Sequence, residues 1–493
     1  MNQLSQDRHT RFASNILDYG AVGDGQALDT PAIQSAIIAC QEAGGGTVHV
    51  PAGNYVTGSL FMRSHVTLHL DAGATLLASE DLADYPIMDG RWEGADRKTY
   101  APLISGSDLD NIAIVGRGKI DGRGSVWWKL HKDKKLGYPR PRLISFSNCA
   151  NVLIEGITAT NSPAWTINPI HCENVMVDKV TILNPADSPN TDGINPDSCR
   201  YVRISNCYVS VGDDCITITN CTMAHGHGGV VIGSEMSGDV RNVVISNCIF
   251  TGTDRGIRFK SRRGRGGIVE DIRVTNIIMT DVLCPFTMNL YYACGAWGDE
   301  TVADKQPHPV TDGTPRFRRI HLSNITAREV RYAAAFLYGL PEMPIEDISL
   351  SDISISLSPD AEAGYPEMAN DMEQMQRAGF FVRNARGLRL HNVEVTGQLG
   401  PALTLIDAAD VDLSACTTHT PCVDAQADCS AVVLMKNVEG AFVHDCQAHA
   451  GTQVFAQIEG EHSKEIVLDS NYLAHAQQPV CLAGGAGPEA VSA

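Results

Sequence analysis

The chain has 493 residues, 43% of them hydrophobic and 19% charged, the balance of a folded globular protein and not of a disordered one. Its net charge of −19 excludes nucleic acid or an anionic membrane as a partner for the surface as a whole, so an anionic ligand needs a local basic patch. No run of about 18 apolar residues occurs, the first nine residues lack the apolar core of a secretory signal, and the 15 cysteines contain no CxxC pair; the expectation is reduced thiols in a cytoplasm, or secretion if a leader has been trimmed.

Residues 1–15 are expected to form a disordered or extended segment. Residues 16–22 alternate weakly and run into a Gly23-Asp24-Gly25 turn. Thr30 before Pro31 reads as a helix start with a capping hydroxyl. Ile33, Ala36, Ile37 and Cys40 follow at helical spacing, and Gly44-Gly45-Gly46 ends the run. One amphipathic helix ahead of a β-rich chain suits the role of a cap over an exposed strand edge.

From there a pattern repeats. Asn151-Val152-Leu153-Ile154 recurs in kind at Asn174, Tyr201, Asn242, Asp271, Arg319, Asp347, Gly387 and Asp410, with a last copy at Glu465. Each copy holds apolar residues two apart and is followed by Asn, Asp or Ser and a second short alternation. The closest copies are 23 to 29 residues apart. Short strands at such a period predict an all-β fold, a single-stranded right-handed parallel β-helix with an N-terminal capping helix, over residues 16–478. A leucine-rich repeat competes, but its Leu/Asn consensus and helical half are missing. Cys207, Cys248, Cys416 and Cys446 share one offset and predict a partial ladder of buried thiols. Irregular inserts at 84–101, 129–142, 284–316 and 358–378 carry or border Trp92, Trp127, Trp128 and Trp297, and would project from the turns to wall a site. The Ala/Gly-rich tail at 479–493 is expected to fray.

The chemistry-bearing residues cluster between Pro189 and Lys260. Asp192 and Asp214 are 22 residues apart and Arg258 follows Asp214 by 44, so coils of about 22 residues would put them in one column. Asp213 and Asp214 are adjacent and would face opposite ways in a regular strand. Gly212 permits an irregular backbone that turns both outward, beside Asp192. Three crowded carboxylates disfavour full ionisation, leaving an acid beside a base, the equipment of glycoside hydrolysis. The bland alternative is that these aspartates satisfy turn backbones. Arg258 and Lys260 flank Phe259, so both cations would face outward with Ile257 and Phe259 in the core. With Arg255, Arg262, Arg263 and Arg265 they make six cations in eleven residues, either a solvated face or a grip for a substrate carboxylate. His225 and His227, among glycines, are equally available for a ligand.

Asn190-Thr191-Asp192-Gly193, Asp213-Asp214-Cys215, Gly226-His227-Gly228 and Arg258-Phe259-Lys260 resemble, in order, the four signatures of the polygalacturonases, family 28 of the glycoside hydrolases. Asp18-Tyr19-Gly20-Ala21 and Gly23-Asp24-Gly25 resemble that superfamily's opening. Phe259 stands where isoleucine is usual. The resemblance implies inverting hydrolysis of α-1,4-galacturonosyl bonds, with Asp213 as general acid, Asp192 and Asp214 handling the water, and His227 tuning the acid. It implies that Asn190, Arg258, Lys260 and a cleft tyrosine, Tyr292 in preference to Tyr291, serve substrate binding. No metal or organic cofactor is implied, and the partner is a galacturonate oligosaccharide or polysaccharide. The inserts and extra arginines resemble bacterial exo-acting members. The alternatives are an endo-acting enzyme, a hydrolase of rhamno- or xylogalacturonan, a calcium-dependent lyase on the same coil, and a non-catalytic polysaccharide-binding β-helix.

Overall fold

The first residue of every repeated segment bends the chain. Asn151, Asn174, Tyr201, Asn242, Asp271, Arg319, Asp347, Gly387, Asp410 and Glu465 all have φ between 52° and 69°, the left-handed region that Asn, Asp and Gly tolerate best. Each bend turns one strand into the next, and the two apolar residues that follow it at alternate positions point inward. The computed structural model describes residues 12–93, 95–215, 219–418 and 431–492, in two compact units, Met1–Thr217 and Ile218–Ala493.

Both units are stacks of parallel strands, the right-handed parallel β-helix that the repeats predict. In the first unit Val152 pairs with Val175 and Val175 with Val202, while Ile154, Val177 and Ile204 form the adjoining column. In the second, Ile272, Ile320, Ile348 and Leu388 stack, as do Val274, Leu322, Leu350 and Leu390. These second-unit side chains are buried, each contributing about 2 kcal/mol of hydrophobic stabilisation. Asparagines stack at these bends and at a second left-handed bend five residues further on: Asn174 Nδ2 donates to Asn151 Oδ1 at 2.7 Å at the first, and at the second Asn276 donates to Asn247 at 2.9 Å and Asn324 to Asn276 at 2.6 Å. The amide ladder satisfies polar groups that the turns would otherwise leave to water.

The helix Thr30–Glu42 buries Ala32, Ile33, Ala36, Ile37 and Cys40 against the first coils. Its cap differs from the expectation. Asp29 occupies the cap position and its carboxylate accepts from Val22 and Gly23 N–H, while the Thr30 hydroxyl accepts from Gly58 N–H at 2.8 Å. Thr30 therefore ties the helix to the following coil and does not cap it. Phe12–Asn15 is a strand paired with Gly46–Val50, so this part of the N-terminal segment is extended; residues 1–11 lie outside the described residues.

Three other expectations change. Coils at Val66–Leu70 and Asp110–Gly116 precede the first repeat identified in the sequence, and another at Glu439–His444 was missed near the end. The insert expected from 284 begins after a regular strand, Cys284–Asn289. The tail does not fray: Gln478–Ala483 pairs with Val454–Glu459, and Val491–Ser492 with Lys464–Asp469, covering the last coil's edge. The thiol ladder is partial, as expected, but it takes in cysteines that the shared offset did not pick out. Cys416 and Cys446 neighbour each other, Cys248 lies beside Cys221, and a separate column of Cys149, Cys172 and Cys199 runs through the first unit.

Candidate functional site

In the first unit the strands give way to irregular backbone where the carboxylates sit. Ser210 ends the short strand Tyr208–Ser210, and Gly212 then passes so close to residues 185–188 that a Cβ there would clash with the Ser188 carbonyl oxygen. Gly212 N–H donates to Thr191 Oγ1, which is in turn 2.5 Å from Ser188 Oγ. Gly193 is equally confined, because a Cβ there would meet Val209 and the Cys215 carbonyl. These approaches let Asp192, Asp213 and Asp214 converge, with one oxygen of each within 4.8 Å of the others. The turn thus brings both adjacent aspartates to one side, as Gly212 led us to expect.

The trio is held from several directions. Asp192 and Asp214 are buried, and Asp213 half-buried. Asp192 Oδ2 accepts from Asn195 Nδ2 at 2.9 Å. The Asp192 carbonyl accepts from Thr166 N–H and the Asp214 carbonyl from Gly193 N–H, so the backbone is fixed on both sides. The Cys215 thiol, fully buried beside the trio, is pushed well up first by burial and then by the three carboxylates.

Arg140 was not singled out from the sequence. It is buried, donates to the Pro163 and Pro189 carbonyls at 2.8 and 2.7 Å, and donates to Asn190 Oδ1 at 2.6 Å. Burial pulls its guanidinium down to about 10, opposed by Asp192, Glu93 and Asp213. Asn190, expected to touch substrate, has its side-chain oxygen engaged by this arginine. Trp165, next to Thr166, stacks on Trp92 with centroids 4.9 Å apart, and Arg142 lies 4.8 Å over the same indole. Trp92 closes the first arm of an antiparallel hairpin, Ile87–Trp92 with Ala95–Tyr100, that forms the insert. Arg91 anchors that hairpin to Asp197 at 3.0 Å.

In the second unit, His227 Nδ1 lies 2.8 Å from Asp254 Oδ2. Burial works upward on the Asp254 carboxyl, but the His227 hydrogen bond and Arg255 hold it below its ordinary value. His225 instead occupies a left-handed bend at φ 64°. The structure therefore separates two histidines that the spacing left equivalent.

Arg255–Lys260 is a strand whose Ile257 and Phe259 enter the core as expected. The cations do not face open solvent. Arg258 is only 2% exposed, because the insert at 358–378 lies over it. Glu367 from that insert accepts from Arg258 Nε at 2.9 Å and Nη2 at 2.5 Å. Thr287 and the Met368 N–H also donate to Glu367, at 3.2 and 2.8 Å. Tyr292 lies 5.6 Å from the Arg258 guanidinium and 5.2 Å from Lys260 Nζ, measured to its ring centre. Tyr291 packs instead with Arg263, Lys305 and Tyr338.

Most of the remaining basic run is neither a solvated face nor a carboxylate grip. Arg255 donates to the Pro366 and Tyr365 carbonyls, and Arg262 to the Cys294 carbonyl. Arg263 holds Glu342 and the carbonyls of Thr301, Asp304 and Gln306, and Arg265 pairs with Glu235. These arginines fasten inserts and turns to the coil. The spacing premise also changes: Arg258 pairs with Val231 and Thr287, 27 and 29 residues away, so 44 residues is not two coils here.

Parallel coils with crowded acid groups at a turn mark this chain as a glycoside hydrolase. It belongs to family 28: the model described as "Glycosyl hydrolases family 28" matches residues 40–368. A probable polygalacturonase of Vitis vinifera is 35% identical over 391 residues, 73% of this chain and 77% of that protein. An exopolygalacturonase of Zea mays is 29% identical over 372 residues, 70% of this chain and 83% of that protein. The crystal structure of a hyperthermoactive exopolygalacturonase from Thermotoga maritima superposes with a TM-score of 0.66 at 27% identity, covering 78% of this chain and 91% of that one. A relative named for endo action, an endo-polygalacturonase of Pectobacterium carotovorum, matches as well, 31% identical over 298 residues.

Proposed function

We propose that this chain hydrolyses the α-1,4-galacturonosyl bonds of pectic galacturonan, acting from a chain end with inversion. Asp213 gives its proton to the leaving glycosidic oxygen. Asp192 and Asp214 hold a water and take its proton as the water oxygen attacks the anomeric carbon from the opposite face. Close like charges disfavour ionising the whole set, which keeps an acid beside its base partners. His227, oriented by Asp254, tunes the acid. Lys260, packed on Tyr292, receives the uronate carboxylate, while Arg258, covered by the insert and engaged by Glu367, packs on Tyr292 and holds it beside Lys260. Inversion rests on family membership, since the carboxylate oxygens lie closer than the roughly 6.5–9.5 Å usual for inverting pairs.

The observation that carries the exo reading is the cover over Arg258. An open groove for mid-chain attack leaves its cation-bearing strand accessible along its length. Here residues 365–368 close on that strand through Arg255 and Arg258, and on the neighbouring strand Cys284–Asn289 through Asn289. The test uses trigalacturonate and long polygalacturonate, following early products by chromatography and anomeric configuration by NMR. Early release of only mono- or digalacturonate supports exo action, and a spread of intermediate lengths overturns it. An initial product with the α configuration overturns inversion.

A further inference from the structure

A second convergence of donor atoms lies in the first unit, among the coils nearest the capping helix. His49 and His69 are register partners on the adjacent strands Gly46–Val50 and Val66–Leu70. Their Nδ1 atoms approach to 3.3 Å, and the rings meet edge to face. Asp71 begins the turn after the second strand, and its Oδ1 lies 3.2 Å from His69 Nδ1 and 3.9 Å from His49 Nδ1. The turn is itself fixed, because Asp71 N–H donates to the Val50 carbonyl at 2.9 Å and its own carbonyl accepts from Ala74 N–H at 3.0 Å.

A hydrogen-bond chain accounts for this triangle poorly. A single proton lies along one edge at a time, whereas all three edges here join atoms with lone pairs. A cation at the centre meets the three lone pairs together. Around tetrahedral zinc, with nitrogen at about 2.05 Å and oxygen at about 2.1 Å, neighbouring donor atoms stand about 3.3–3.4 Å apart. Two observed edges match that spacing, and the third exceeds it by about half an ångström, within the swing of one imidazole on its strand.

We propose that His49, His69 and Asp71 form a binding site for a divalent transition cation of the zinc, copper and nickel class. Two imidazoles disfavour calcium and magnesium, which take oxygen ligands. The three side chains are between 34% and 41% exposed, so the remaining position opens to water and the site is reachable. Bound there, the cation clamps two successive coils beneath the helix Thr30–Glu42, which packs on both strands. The site is independent of the carboxylate trio and of the hydrolytic reading.

The full chain, stripped of metal by chelator and dialysis, is titrated with zinc chloride by calorimetry and melted with and without zinc. The expected result is one equivalent bound and a dose-dependent rise in melting temperature, both lost in His69→Ala and in Asp71→Asn. Copper(II) EPR of the wild type should show coupling to two imidazole nitrogens, a readout independent of whether either variant folds. Absence of binding up to millimolar zinc overturns the proposal. So does binding that survives both substitutions, or a copper spectrum without nitrogen coupling.

Discussion

Glu367→Gln probes the contact that hides Arg258. Glu367 is buried, with its shell filled by Arg258, Thr287 and the Met368 N–H. Burial alone works upward on its carboxyl, yet Arg258, and then Arg255, hold it down to about 2 against an ordinary 4.5. That gap, at about 1.4 kcal/mol per pH unit, corresponds to about 3 kcal/mol of stability. The figure agrees with the roughly 3–5 kcal/mol cost of removing one partner from a buried ion pair. Because the folded value lies below the unfolded one, this stability is fully present above pH 4.5 and is lost as pH falls from there through about 2. Glutamine keeps the shape but not the charge, so the variant should lose about 3 kcal/mol at neutral pH. The difference from wild type should shrink steadily below pH 4.5. Urea unfolding followed by near-ultraviolet circular dichroism, at neutral and acid pH, measures both quantities. A variant as stable as wild type at neutral pH, or a deficit that does not change with pH, refutes the reasoning.

Asp213→Asn should lower hydrolysis of polygalacturonate by about 10²–10⁴-fold with an unchanged melting temperature; reducing-sugar release checks it, and retained activity removes Asp213 as the acid. Tyr292→Ala should raise KM for oligogalacturonates by about tenfold with little change in kcat, while Tyr291→Phe leaves KM alone, since only Tyr292 packs on both Arg258 and Lys260. Gly212→Ala makes a methyl group clash with the Ser188 carbonyl oxygen, so it should destabilise by about 1–3 kcal/mol and cut activity as the Asp213–Asp214 turn shifts. Chemical denaturation and the same sugar assay read that pair of effects, and a fully active, fully stable variant contradicts the packing described.

The coils were legible because they repeat. The bend at Asn151 or Asp271 needs a left-handed residue, and the inward pair after it must be apolar, so both requirements are written into each copy. Tyr201, Arg319 and Glu465 hold the same bend without the favoured chemistry, and only the apolar pair behind them revealed it. Asp192, Asp213 and Asp214 were legible as a set because 22 residues separate Asp192 from Asp214 and Gly212 lets the adjacent pair turn to one side. Arg140, Trp165, Asp254 and Glu367 were not. Arg140 and Glu367 sit in inserts that have no period, and each meets its partner across a long stretch of sequence, about 50 residues for Arg140–Asn190 and 109 for Arg258–Glu367. Asp254 was passed over although it neighbours the basic run; its distance of 27 residues from His227, the coil length at Arg258, was the available signal.

One-to-one pairing between coils gives the second unit something like a reading frame. Ile320 faces Ile348, and Leu322 faces Leu350, only because each coil carries its own count of residues from bend to bend. Losing one residue inside such a strand transposes the rest of that strand, up to the next bend, to the opposite face, sending Ile and Leu into water and Ser and Asp into the core. Losing a whole coil from bend to bend leaves the columns in phase. The lengths at which this chain could grow or shrink by duplication are therefore set by its bends, while its inserts, which carry no count, are free to lengthen and reshape what the coil admits.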